Sequence, residues 1–441
     1  MYRTAQEDLL KWKDSADRMP LILSGVRQCG KTHLLKEFGS KNYDGVAYVN
    51  FEESPNLARH FDADLDPHRI IADLSISLNA SIRPGETLIV FDEIQACARA
   101  LASLKYFCED APEFHVACAG SLLGVRLSEP ASFPVGKVDF IDLRPMGFRE
   151  FLLANGEDAL CDRLSSSGFI GVPEPFSSRL ETHLRHYYAV GGMPRAVSEW
   201  VSSKDFVAVE KIQKGILRSY AGDFGKHAAK DLSELDLIWR SIPAQLSREN
   251  RRFIFSHVKS GKRARDLEHA LGWLVSAGYV HKVRKISRPG IPLSMYSDET
   301  IFKIYFADVG LLRALAGVPP GLVFESGGEH AHFKGALAEN FALNELLLLG
   351  KDPFYWRADS GEEVDFVDVF GLEPAPIDVK SEDNRRSRSL KRYMAEYSPK
   401  RAFRIGMGAG SEGGGITDVP LWAIWLMGGA TGGGAGEGLP Q

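Results

Sequence analysis

The chain has 441 residues, 44% hydrophobic and 25% charged, with a formal net charge of −5 at pH 7. That is ordinary globular composition with length for about three domains, and the acidic balance excludes a surface built throughout for nucleic acid, so any such contact must come from a local patch. Five cysteines with no CxxC pair exclude a disulfide framework. The N-terminal stretch MYRTAQEDLLKWKDSADRMP lacks an apolar core, and LWAIWLM, Leu421 to Met427, falls far short of the roughly 20 residues that span a bilayer. The expectation is a soluble, cytoplasmic protein with reduced thiols and no membrane contact.

From Pro20 to about Phe140 the short apolar runs LILS, VAYVNF, TLIVF, FHVACAGS and VDFIDL alternate with longer amphipathic segments. Such alternation predicts a parallel sheet covered by helices, an α/β core over residues 1–146. Residues 147–246 lose the strand signal and read as a helical lid. Residues 247–330 carry two short helical patterns and two strands around a Pro-Gly turn, the outline of a winged helix. Residues 331–428 run helix, strand, turn, strand, helix, strand, which is a mixed α/β unit, and 429–441 is a glycine-rich tail expected to be flexible.

The motif Gly25-Val26-Arg27-Gln28-Cys29-Gly30-Lys31-Thr32 follows the strand LILS and opens the helical pattern HLLKEF. Strand, GxxxxGKT loop and helix in that order form a phosphate cradle. Gly25 and Gly30 let backbone N–H groups wrap phosphate oxygens, the helix N-terminus adds positive potential, Lys31 reaches the outer phosphates and Thr32 ligates magnesium. ATP and Mg2+ are the cofactors this predicts. About 60 residues on, the strand TLIVF ends in Asp92-Glu93, where an aspartate would hold the magnesium shell and the glutamate would polarise the attacking water. Ser121, at the end of the next strand, is either a γ-phosphate sensor or a simple helix cap.

With Phe91-Asp92-Glu93-Ile94-Gln95, Gly120-Ser121, Leu143-Arg144-Pro145-Met146-Gly147-Phe148-Arg149-Glu150-Phe151 and Gly191-Gly192-Met193-Pro194 in place, the chain resembles the AAA-type predicted ATPases of bacteria and archaea over nearly its whole length. The resemblance implies ATP hydrolysis and puts Pro194, in a helical-lid motif, near the nucleotide. One position departs: Gly136-Lys137 stands where such proteins often have Gly-Arg, and lysine cannot make the planar two-pronged contact of arginine. Arg126 and Arg195 are the candidate substitutes.

Between Arg248 and Arg288 lie eleven Lys or Arg against three Asp or Glu. Lys259, Lys262, Arg263 and Arg265 flank a predicted helix, and Lys282, Arg284, Lys285 and Arg288 lie on the predicted wing. A DNA-backbone reader is one interpretation, and a solvated or internally docked basic face is the other.

Further on, Glu339 shares a largely apolar helix face with Ala336 and Leu343, an expensive place for a charge. Alternation puts Glu363 with Asp365 on one face of EVDFVDVF, and Asp378 with Lys380 on one face of PIDVK. Glu339, Asp365 and Asp378 would hold a second divalent metal, with Lys380 as the catalytic cation against a phosphodiester. This set, with Trp356-Arg357 and Pro376-Ile377-Asp378-Val379-Lys380-Ser381, is similar to the PD-(D/E)XK nuclease core and to the C-terminal domain of unknown function found on those ATPases.

His183 and His186 lack zinc spacing, and neither a GxSxG elbow nor a thiol-protease signature is present. Two readings follow. One is an ATPase coupled to a nuclease-like domain acting on DNA, with Lys31 and Glu93 catalytic at one end and Lys380 at the other. The alternative is a nucleotide-dependent switch with an inactive nuclease-like domain that binds a protein or nucleic-acid partner.

Overall fold

The computed structural model describes residues 1–120, 134–227, 232–248, 250–325, 331–381 and 387–428. The fold is α/β and divides into two compact units, Met1–Pro145 with Gly272–Tyr279, and Met146–Leu271 with Val280–Gln441.

The first unit is built on five strands, β1 (Leu21–Ser24), β2 (Gly45–Asn50), β3 (Thr87–Asp92), β4 (His115–Ala119) and β5 (Asp139–Asp142), in the order β2-β3-β4-β1-β5. All four neighbouring pairs are parallel, and they correspond to the five apolar runs of the sequence. Every residue of β3 is buried, as expected of a strand covered on both faces. On one side Phe51, Phe61 and Phe91 meet at centroid separations of 5.7 Å, and Ile22, Ile70, Leu74 and Phe107 complete that core.

A short later segment belongs to this unit. Ala277 and Tyr279 are buried, and a β-carbon on Gly278 would meet the backbone nitrogen of Val26 at 3.7 Å.

The second unit opens with helices Phe148–Ala154, Asp158–Ser167, Glu174–Val190, Pro194–Ser203, Phe206–His227 and Leu232–Leu246. Its sheet comprises β6 (Val280–Ile286), β7 (Ser297–Phe306), β8 (Phe354–Arg357), β9 (Glu363–Phe370), β10 (Glu373–Val379), β11 (Ala402–Gly406), β12 (Ser411–Gly413) and β13 (Ile416–Pro420), ordered β12-β13-β11-β10-β9-β8-β6-β7. The hairpin read from sequence as a wing, β6 with β7, therefore continues the C-terminal sheet: Lys285 and Ile286 pair in parallel with Tyr355 and Trp356. The helix Ala331–Leu348 is buried on every side from Ala336 to Leu343, more enclosed than the single apolar face the sequence suggested. Among the described residues no helix is long and apolar enough to cross a membrane.

Candidate functional site: the phosphate loop and a buried charge cluster

The loop between β1 and the helix Lys31–Asn42 has the geometry its glycines permit. Gly25 has φ 142°, and a β-carbon there would lie 2.1 Å from the Leu143 carbonyl oxygen; Gly30, at φ 97°, caps the helix. Lys31 is buried, with Nζ donating to the carbonyls of Gly25 at 2.7 Å and Val26 at 3.1 Å. Arg3, which sequence reasoning missed, braces the loop by donating to the Cys29 carbonyl at 2.9 Å and also bonds the Arg144 carbonyl.

Asp92, at the end of β3, is where the site converges. Thr32 Oγ1 donates to Asp92 Oδ2 at 2.8 Å, the Tyr48 hydroxyl donates to the same oxygen at 2.6 Å, and the Glu93 N–H reaches Oδ1 at 3.1 Å. Tyr48 enters from β2, where parallel register sets Asn50 beside Asp92. Burial, and then the bond to Asp92, push the phenol well above its ordinary pKa, so it acts as a donor. The Lys36 ammonium lies 3.5 Å from the Tyr48 ring centroid. Glu93 adopts the left-handed region at φ 49°, and Gln95 Nε2 donates to Glu93 Oε2 at 2.5 Å.

Ser121 and Arg126 lie outside the described residues. Lys137 is engaged with Glu109 at 2.9 Å. Pro194 is the first residue of its helix in the second unit. The glycine pair before it is accounted for by packing there: Gly191 has φ 75°, Gly192 N–H donates to the buried Asp308 at 2.6 Å, and a β-carbon on Gly192 would lie 2.0 Å from the Met146 carbonyl oxygen.

In the second unit the structure brings Glu339, Asp365, Asp378 and Lys380 into one neighbourhood and adds groups the sequence did not flag. Lys303 on β7 is fully buried, with Nζ 2.9 Å from Glu339 Oε1, 2.6 Å from Glu363 Oε1 and 4.0 Å from Asp365 Oδ1. The Tyr305 hydroxyl donates to Glu339. Arg251 pairs with the other oxygen of Glu339 and lies 3.8 Å from Asp365 Oδ1. Asp365 Oδ2 accepts the Val379 N–H at 2.8 Å, and Lys380 Nζ sits 3.0 Å from Asp378 Oδ2.

Burial, and then the nearby charge of Asp365, push Asp378 up to about 6. Burial works against the Lys380 ammonium, but Asp365 and Asp378 outweigh it and raise its pKa. Among the described residues no three His, Cys, Asp or Glu side chains are grouped so as to hold a metal ion. The carboxylates are already met by ammonium and guanidinium, and the residues as placed do not fit a second divalent metal.

Part of the basic excess is likewise matched. Lys282 and Arg284 both pair with Glu299 across the hairpin at 3.3 and 2.9 Å, and Lys262 pairs with Glu234 at 3.0 Å.

Residues 17–152 match a family model described as an AAA domain, residues 181–321 a domain of unknown function (DUF8612), and residues 334–424 a domain of unknown function (DUF4143). The AAA-domain match spans the phosphate loop and supports a nucleotide-binding P-loop ATPase over residues 17–152. No curated protein matches the chain in sequence. Similar solved structures include the Walker-type ATPase PABY2304 of Pyrococcus abyssi, 16% identical, covering 71% of this chain and 95% of that one with a TM-score of 0.46. They also include AMPPCP-bound DnaA from Aquifex aeolicus, 12% identical over 62% and 87% at 0.29, and Cdc6p from Pyrobaculum aerophilum, 13% identical over 76% and 93% at 0.24.

Proposed function

We propose that this protein is a magnesium-dependent ATPase whose nucleotide state switches a C-terminal half that binds a partner. The observation that carries the reading is the convergence of Thr32 and Tyr48 on Asp92 at the mouth of a glycine cradle. Backbone N–H groups from Gly25 to Thr32 would hold the phosphates, and Lys31 would move from the loop carbonyls to the β- and γ-oxygens. Thr32 and Asp92 are the residues that would hold magnesium, directly and through its water shell; when bound, the ion neutralises charge building on the phosphates. Glu93 orients the attacking water and takes its proton. The same reading makes Ser121 the γ-phosphate sensor and Pro194 a nucleotide contact. Nucleotide binding and turnover in Lys31→Ala and Glu93→Gln test it: unchanged turnover in Glu93→Gln would overturn the assignment of the base.

A second reading, DNA cleavage by the nuclease-like domain, draws on Lys380 lying 3.0 Å from Asp378 and on the basic hairpin. The cation-filled carboxylates favour partner binding over cleavage. Incubation of linear and supercoiled DNA with Mg2+ or Mn2+, with and without ATP, separates the two. Cleavage lost in Lys380→Ala would establish the nuclease; intact DNA retarded on a gel would leave DNA as the partner, and intact unretarded DNA points to a protein.

A further inference from the structure

Four carboxylates, Glu339, Glu363, Asp365 and Asp378, are drawn together from one helix and two strands, an arrangement whose mutual repulsion must be offset. Three cations meet them: Lys303 from β7, Arg251 from the segment before the helix Phe255–Val258, and Lys380 just past β10. Lysine is almost never fully buried unless paired, and Lys303, with no exposed surface, has carboxylate oxygens at 2.6 and 2.9 Å. Its ammonium also lies 4.9 Å from the Tyr355 ring centroid.

The guanidinium of Arg251 lies against the helix Ala331–Leu348 at Gly335, where a β-carbon would stand 2.7 Å from Nη2. The Tyr305 hydroxyl adds a neutral donor to Glu339 Oε1, the oxygen that Lys303 also reaches, while Arg251 lies against Oε2 as an ion pair.

We infer that Lys303 and Arg251 take the place a divalent cation would occupy, so that the cluster is an internal charge lock joining β7, the Arg251 segment, the helix Ala331–Leu348 and strands β9 and β10, and works without metal. Breaking a buried pair by removing one partner strands the other charge, whereas removing both relieves it. The lock therefore predicts strong coupling between its cationic and anionic members.

Two measurements on the full-length, nucleotide-free chain test this, and neither depends on the ATPase reading. In thermal unfolding, Lys303→Met should lower Tm by about 5 °C or more, and Lys303→Met/Glu339→Gln should recover much of that loss. Additive losses in the double variant would overturn the lock. Mn2+ titration followed by electron paramagnetic resonance, in an Asp92→Asn background that disables the phosphate-loop site, should show no tightly bound ion. One bound Mn2+ that disappears on adding Asp365→Asn, with Lys303 and Arg251 in place, would overturn the metal-free assignment.

Discussion

Two carboxylates at strand ends, Asp92 on β3 and Asp378 on β10, receive opposite company. Asp92 is approached by neutral hydroxyls, Thr32 and Tyr48, whereas Asp378 and its neighbours Asp365 and Glu339 are approached by an ammonium or a guanidinium. Hydroxyl donors fix a carboxylate's direction and leave its negative charge for an incoming cation; charged donors fix the direction and cancel the charge. The chemistry of each site depends less on its acids than on what donates to them.

The largest effect expected from this contrast is at the cradle. Lys31→Ala should weaken ATP binding by about 10²-fold, the loss of charge-assisted contacts to phosphate, read by fluorescent-nucleotide titration. Glu93→Gln should keep ATP affinity within a few-fold and slow turnover by about 10²-fold or more, measured as phosphate release. Tyr48→Phe should cost roughly 1 kcal/mol of organisation around Asp92, seen as a several-fold rise in the Mg2+ needed for half-maximal turnover with little change in ATP affinity.

The smallest effect concerns pH. Asp378 titrates near 6 in the folded chain against an ordinary 3.8, so the folded state holds the proton more tightly. Its contribution to stability is full below pH 3.8 and is lost as pH rises through about 6. Asp378→Asn should flatten that part of a Tm-against-pH curve; an unchanged curve would place the titrating group elsewhere.

Local signals carried the first unit far. Five apolar runs became five parallel strands, with β3 and β4 buried throughout and the edge strands β2 and β5 only partly covered, and the phosphate loop is a contiguous motif. Tyr48 and Arg3 were not legible, since the register of β2 against β3 and the path of the N-terminal segment bring them to the loop. In the second unit the acids could be grouped by face, but their cations could not. Lys303 lies 36 residues before Glu339, on a strand assigned by sequence to another domain. Alternation sets Lys303 on the face opposite Phe302 and Ile304, so the local pattern reads as a solvent-facing lysine and gave no clue to its burial. Counting charges between Arg248 and Arg288 overstated the patch, because Glu299 and Glu234, which neutralise part of it, fall outside that window.

The first unit borrows Gly272–Tyr279 from far along the chain, including the backbone that runs beside Val26 of the phosphate loop. During synthesis those residues emerge well after Pro145, so the contacts they add to the amino-terminal module form late. A fragment ending at Pro145 would lack the backbone at Gly278 that lies beside Val26.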